Sequence, residues 1–229
     1  MITLSIMKKS FLIIVLVAIS TASLAQEGSV NKSGQDDAWF AKDSIKTEGG
    51  PTYTTFDPAD YPLLGKEAPS FSLMALNNDS LSFPRKGKIT LLNFWHVHCS
   101  VCFREIPELN LLAAQYPNIE IISIMPDDTT AIAKLIETRP DGYRLRREIN
   151  HNRNIDYQII PNAAFVAAAY ALPDGGPYSI IIDSEGKVQH LSFGYRSPVT
   201  NDPPDKTLNY LHLKSLIDDV TSRQILSRD

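Results

Sequence analysis

The sequence predicts an α/β domain, with a mixed central β-sheet flanked by helices on both faces and an N-terminal β-hairpin ahead of it. Three observations carry this. Short apolar runs of strand length recur, as in "ITLLNFW", "IEIISIM" and "YSIIID". The segments between the first of them have apolar residues at helical spacing, so βαβ units with parallel strands are expected. The last apolar run reaches the next one through a tight turn, "SEG", which joins them as an antiparallel hairpin.

In order along the chain, "SFSLMAL" (70–76) and "SLSF" (80–83) flank Asn77, Asn78 and Asp79, a turn signal that makes them a hairpin. "ITLLNFW" (89–95) is a near-continuous apolar run, as expected for a strand covered on both faces. Beyond the cysteines, Ile106, Leu109, Leu112, Ala113 and Tyr116 follow helical spacing until "YPN" stops the helix. "IEIISIM" (119–125) is a second buried strand. "DDTTAIAKLIETR" opens on good N-cap residues and sets Ile132, Leu135 and Ile136 on one face. A strand near "DYQII", a helix near "AAFVAAAYAL", the strands "YSIIID" and "KVQHLSFGY" and a final helix near 207–226 complete the series.

The ends of the chain read differently. Lys8 and Lys9 precede "FLIIVLVAIS", and small residues Ser23 and Ala25 occupy the −3 and −1 positions of a cleavage site, so residues 1–25 are expected to be a secretory signal peptide. The apolar run is short for a bilayer span, so membrane attachment is not expected after cleavage; an uncleaved anchor is the competing reading. No cysteine stands directly after the run, so lipid attachment there has no acceptor. Residues 26–60 are rich in Gly, Ser, Asp, Lys and Thr and are expected to act as a flexible tether, leaving 61–229 as one domain with a real core. Loss of the two lysines takes the basic count from 22 to 20 against 26 acidic residues, near −6, a balance that does not favour nucleic acid or an anionic membrane surface.

Both cysteines of the chain and two of its five histidines fall in "FWHVHCSVCFREIP", residues 94–107. As a structural staple, a disulfide between Cys99 and Cys102 would close a loop of four residues, worth only about 2 kcal/mol against about 3 for fifteen. The pair instead sits where a strand's C-terminal end feeds a helix, the place at which α/β folds put reactive groups. Unpaired N–H groups and the dipole there stabilise the thiolate of the first cysteine. Lowering its pKa from about 8.5 to about 7 raises the thiolate fraction at neutral pH from about 3 % to about half. The second cysteine, one turn on, is placed to attack a mixed disulfide and release the partner.

The segment "LLNFWHVHCSVCFREIPEL" resembles the active-site segment of thioredoxin-fold proteins. The signal sequence and the glutamate three residues after the second cysteine are similar to the TlpA/ResA-type thiol-disulfide oxidoreductases of bacterial envelopes. The resemblance covers about residues 61–226, including "KEAPSFSLMAL" and "GGPYSIIIDSEGKV". It implies a thioredoxin-like fold, with Cys99 as the exposed nucleophile, Cys102 as the buried resolving thiol and Glu105 as an acid that manages its proton. It also implies that Pro177 is a cis-proline facing the disulfide and that Pro107 kinks the active-site helix. Helical geometry agrees in part, because Glu105 at i+3 shares a face with Cys102, whereas at i+6 it points away from Cys99. An early-helix glutamate favoured only by the dipole, and a trans turn proline with Pro173 as rival, are the plainer alternatives.

His96, His98 and Val101 depart from the commoner family pattern, and a protonated His98 would make the pair more oxidising. His151, His190 and His212 are scattered and read as surface residues.

The resemblance implies a protein disulfide oxidoreductase of the periplasm or cell envelope that needs no cofactor. It would reduce cysteine pairs in exported proteins, those awaiting haem attachment among the candidates, with electrons from an upstream thiol donor. Two alternatives stay open. One is copper or zinc handling by His96, His98, Cys99 and Cys102. The other is a thioredoxin-fold peroxidase, although His96 stands where that class carries threonine.

Overall fold

The computed structural model describes residues 43–45, 53–55, 57–138, 155–196 and 202–226. The expected signal peptide, and the expected cleavage site with it, lie outside them. Within the stretch read as a tether, β1 (Asp43–Ile45) and β2 (Tyr53–Thr55) pair antiparallel. No helix among the described residues is long and apolar enough to cross a membrane.

The hairpin forms from β3 (Phe71–Met74) and β4 (Ser80–Phe83), in register Phe71 to Phe83. Its turn is the Asn–Asn–Asp segment, where Asn77 accepts from the Asp79 N–H at 3.1 Å and Asn78 takes a positive φ of 66°. Asparagine tolerates that conformation better than most residues.

Five strands make the main sheet: β5 (Ile89–Phe94), β6 (Ile119–Ile124), β7 (Gln158–Ile160), β8 (Tyr178–Ile182) and β9 (Val188–Phe193), in the order β7-β6-β5-β8-β9. β5 runs parallel to β6 and antiparallel to β8. All six residues of β5 are buried, as its apolar run requires for a strand with both faces covered.

The helices are α1 (Cys102–Gln115), α2 (Thr129–Thr138), α3 (Ala164–Ala169) and α4 (Leu208–Leu226). Side chains alternate across each strand, so Leu92, Phe94, Ile122 and Ile180 join one cluster with Val166 of α3 and the hairpin's Phe83. Leu91, Ile121 and Ile181 face the other way, against Leu109 and Leu112 of α1 and Leu213 and Ile217 of α4. Helices on both faces are therefore present, as the βαβ pattern led one to expect. α2 differs in one respect from its sequence pattern: Ile132 is buried but Ile136 is 46 % exposed. The ten-residue helix covers only the edge of the cluster around the disulfide, into which Ile132 and part of Leu135 reach.

Candidate active site

The loop between β5 and α1 is fixed by short-range contacts. Trp95, just past the strand, donates from Nε1 to Ser123 Oγ at 2.7 Å and meets Phe103 edge-on, centroids 5.8 Å apart. The Val97 N–H donates to Asp127 Oδ2 at 3.0 Å, and the His98 N–H to His96 Nδ1 at 3.2 Å. His96 therefore presents Nδ1 as an acceptor to its own loop.

Cys99 and Cys102 are joined as a disulfide with Cα atoms 5.3 Å apart. Cys102 is the first residue of α1, and its N–H donates to Cys99 Sγ at 3.3 Å. The start of the helix thus turns an N–H that also donates to the Cys99 carbonyl, at 3.1 Å, toward the sulfur of the first cysteine, where it favours a thiolate. The expected exposure of Cys99 is small in this oxidised form, 7 % against 2 % for Cys102, because the pair packs with Trp95, Ile106, Met125, Ile132 and Ile159.

Pro177 lies at the same end of the sheet. Tyr178 pairs with Phe94, so Pro177 is beside the residue where β5 gives way to the cysteine loop. The Gly176–Pro177 peptide is cis, as is Phe83–Pro84, which the sequence did not single out. Gly176 has φ +144°, and a Cβ there would sit 3.3 Å from the Phe94 carbonyl oxygen, so glycine is required on two counts. Pro107 stays inside a continuous α1, where it removes the amide that would bond the Phe103 carbonyl.

Glu105, one turn from Cys102, is buried to 2 % exposure. Asn93 Nδ2 donates to its Oε2 at 2.9 Å, and Asn209 Nδ2 to its Oε1 at 3.1 Å. Asn93 is on β5 and also donates to Ser179 Oγ, its cross-strand partner on β8, at 3.1 Å. Burial pushes the Glu105 carboxyl up to about 7; the two asparagine bonds oppose that shift and the neighbouring charge of Glu108 adds to it. Among the described residues no ion pair reaches Glu105, so its charge has only amide dipoles to lean on.

Sequence reasoning missed Asn93, Asn209 and Glu108. A weak signal existed for the first, since an asparagine inside a strand buried on both faces needs a partner. His96 and His98 have ring centroids 6.3 Å apart. Among the described residues no three His, Cys, Asp or Glu side chains form a set that could hold a metal ion. Sulfurs bonded to each other cannot serve as thiolate ligands in this state.

A disulfide at a strand-to-helix junction, with a cis-proline at the same end of a mixed α/β sheet, defines a thiol-disulfide oxidoreductase of thioredoxin-like fold. The chain belongs to the AhpC/TSA family, whose model matches residues 64–191. It is 36 % identical over 134 residues to the thiol-disulfide oxidoreductase ResA of Bacillus anthracis, across 57 % of this chain and 70 % of that one. It is 27 % identical over 143 residues to the thiol:disulfide interchange protein DsbE of Pseudomonas aeruginosa, across 60 % of this chain and 72 % of that one. Among solved structures, a thiol:disulfide interchange protein of the thioredoxin family from Chlorobium tepidum matches with a TM-score of 0.50 at 18 % identity. That match covers 67 % of this chain and 94 % of the other, and it supports the fold alone.

Proposed function

We propose that this oxidoreductase works in the reducing direction, on cysteine pairs of exported proteins in the periplasm or cell envelope. Proteins awaiting covalent haem attachment fit that substrate class. The signal-type N-terminus and the likeness to ResA and DsbE support the location and the class of partner.

One observation carries the direction. A strongly oxidising pair needs its reduced form stabilised, chiefly through the thiolate of the first cysteine. Here Cys99 sits in an apolar cluster, which disfavours that charge, and among the described residues a single backbone N–H, that of Cys102, reaches its Sγ. A dithiol in such a setting gives up its electrons readily.

The roles follow from the placement. Cys99 thiolate attacks a partner disulfide, forming a mixed disulfide and releasing one partner thiolate. Cys102 then gives its proton to the Glu105 carboxylate and attacks Cys99 Sγ. The Cys99–Cys102 bond forms, the bond to the partner breaks, and the partner leaves with two electrons gained. An upstream thiol donor returns two electrons to the pair. Pro177, next to the cysteine loop, lines the face on which the partner's chain would lie.

The test is the reduction potential of the Cys99–Cys102 couple, measured against thiol redox buffers. The expected value is at or below about −250 mV; a value near −120 mV would make the protein an oxidant and overturn the reading.

A further inference from the structure

Glu108 lies one turn beyond Glu105 on the same face of α1 and is buried to 1 % exposure. The two carboxylates share a single amide: Asn209 Nδ2 donates to Glu105 Oε1 at 3.1 Å and to Glu108 Oε2 at 2.7 Å. The Arg196 N–H donates to Asn209 Oδ1 at 3.2 Å, so the amide's nitrogen end is turned toward the acids. Glu108 Oε1 takes two further bonds, from Tyr195 Oη at 2.8 Å and Thr207 Oγ1 at 2.6 Å. Thr207 is itself anchored, since its Oγ1 accepts from the Tyr210 N–H at 3.1 Å and so caps α4.

We propose that Glu108 is a positioning residue for the thiol-disulfide exchange, held as the anion by Tyr195, Thr207 and Asn209, so that Glu105 and not Glu108 is the member of the buried pair that takes up the Cys102 proton. Two carboxylates this close and out of water do not both ionise readily. Donor count decides which one does, with three for Glu108 and two for Glu105. The consequence is a Glu105 with raised proton affinity, closer to that of the buried Cys102 thiol whose proton it must accept. This inference rests on the assignment of Glu105 made above.

The groups that face the pair are few. Cys102 is on the same helix; Asn93 and Ser179 come from the sheet; Tyr195 and Arg196 follow β9; Thr207 and Asn209 open α4, with His212 one turn further along that helix. Arg196 contributes its backbone N–H, its residue being exposed, and among the described residues no ion pair reaches either carboxylate. Burial dominates the upward shift of both acids, and the Glu108 charge adds to that of Glu105.

The experiment reacts the reduced protein with Ellman's reagent in a stopped-flow instrument from pH 5 to 9. The second release of thionitrobenzoate reports attack by Cys102 on the Cys99 mixed disulfide. In the native protein that step should show an acidic limb set by Glu105, and Glu105→Gln should abolish it. Glu108→Gln should move the limb to lower pH by about one unit, and Glu108→Asp should move it back toward the native position. Tyr195→Phe, a milder change that tests the same point should Glu108→Gln misfold, should move it the same way by less. A limb unmoved in both Glu108→Gln and Tyr195→Phe overturns the role of Glu108 while leaving that of Glu105 intact. A limb that survives in Glu105→Gln overturns both.

Discussion

Two regions of the interior lie side by side between the sheet and the α1 and α4 helices, and they are built on opposite principles. Toward the far end of α1, Leu109 and Leu112 meet Leu91, Ile181, Leu213 and Ile217, all apolar and almost without exposure. Nearer the disulfide, the same helix turns Glu105 and Glu108 inward, where Asn93 of β5 meets the first and Asn209 of α4 meets both. The first region is what packing alone would select, since apolar contact stabilises and leaves no polar group to satisfy. The second carries two acids that no cation reaches among the described residues, a choice that stability does not favour. A fold that could have continued its leucines but buries carboxylates on the disulfide's own helix gives up stability there, as the proposed proton chemistry would require.

Breaking the dry region should have the largest effect on folding. Leu109→Ala removes a side chain of 1 % exposure and leaves a cavity, so a loss of about 2–5 kcal/mol is expected in denaturant titration. The molecules that remain folded keep Cys99, Cys102 and Glu105, so they should still complete the disulfide exchange.

Glu105→Gln should act in the opposite sense. A carboxyl whose pKa rises from 4.5 to about 7 on folding holds its proton more tightly in the folded state. Its contribution is therefore fully present below about pH 4.5 and is lost as pH climbs through 7. The glutamine variant keeps the size and shape and has no charge to bury. Above pH 7 it should be the more stable protein, by a margin on the order of 3 kcal/mol, and the gap should close toward pH 4.5. Denaturation midpoints across that range would measure it; a variant less stable than the native protein at pH 8 would mean that the charge is well accommodated.

The dry region was legible in the sequence and the polar one largely was not. Helical spacing picked out Ile106, Leu109 and Leu112 because burial repeats locally along one helix, and strand length together with apolar runs marked β5, β6 and β8. Asn77, Asn78 and Asp79 set the hairpin through turn chemistry that is likewise local. The cysteine pair and Glu105 were visible because they lie within seven positions of chain. Asn209 was not: it reaches Glu105 across 104 positions of sequence and Glu108 across 101, and an asparagine near a helix start looks like an ordinary polar residue. Asn93 was hidden in an otherwise apolar run. Ile136 misled for the converse reason, since periodicity marks a face but not how far the neighbouring elements extend to cover it.

The claim at the centre of this account is that Glu105 takes the proton of Cys102 when the mixed disulfide resolves. The rate of the second thionitrobenzoate release, native against Glu105→Gln from pH 5 to 9, tests it most directly. The account predicts a loss of about 10² in that rate at neutral pH, equivalent to about 2.7 kcal/mol of transition-state stabilisation, with the initial attack by Cys99 changed far less. Superimposable rates and pH profiles in the two proteins would contradict it.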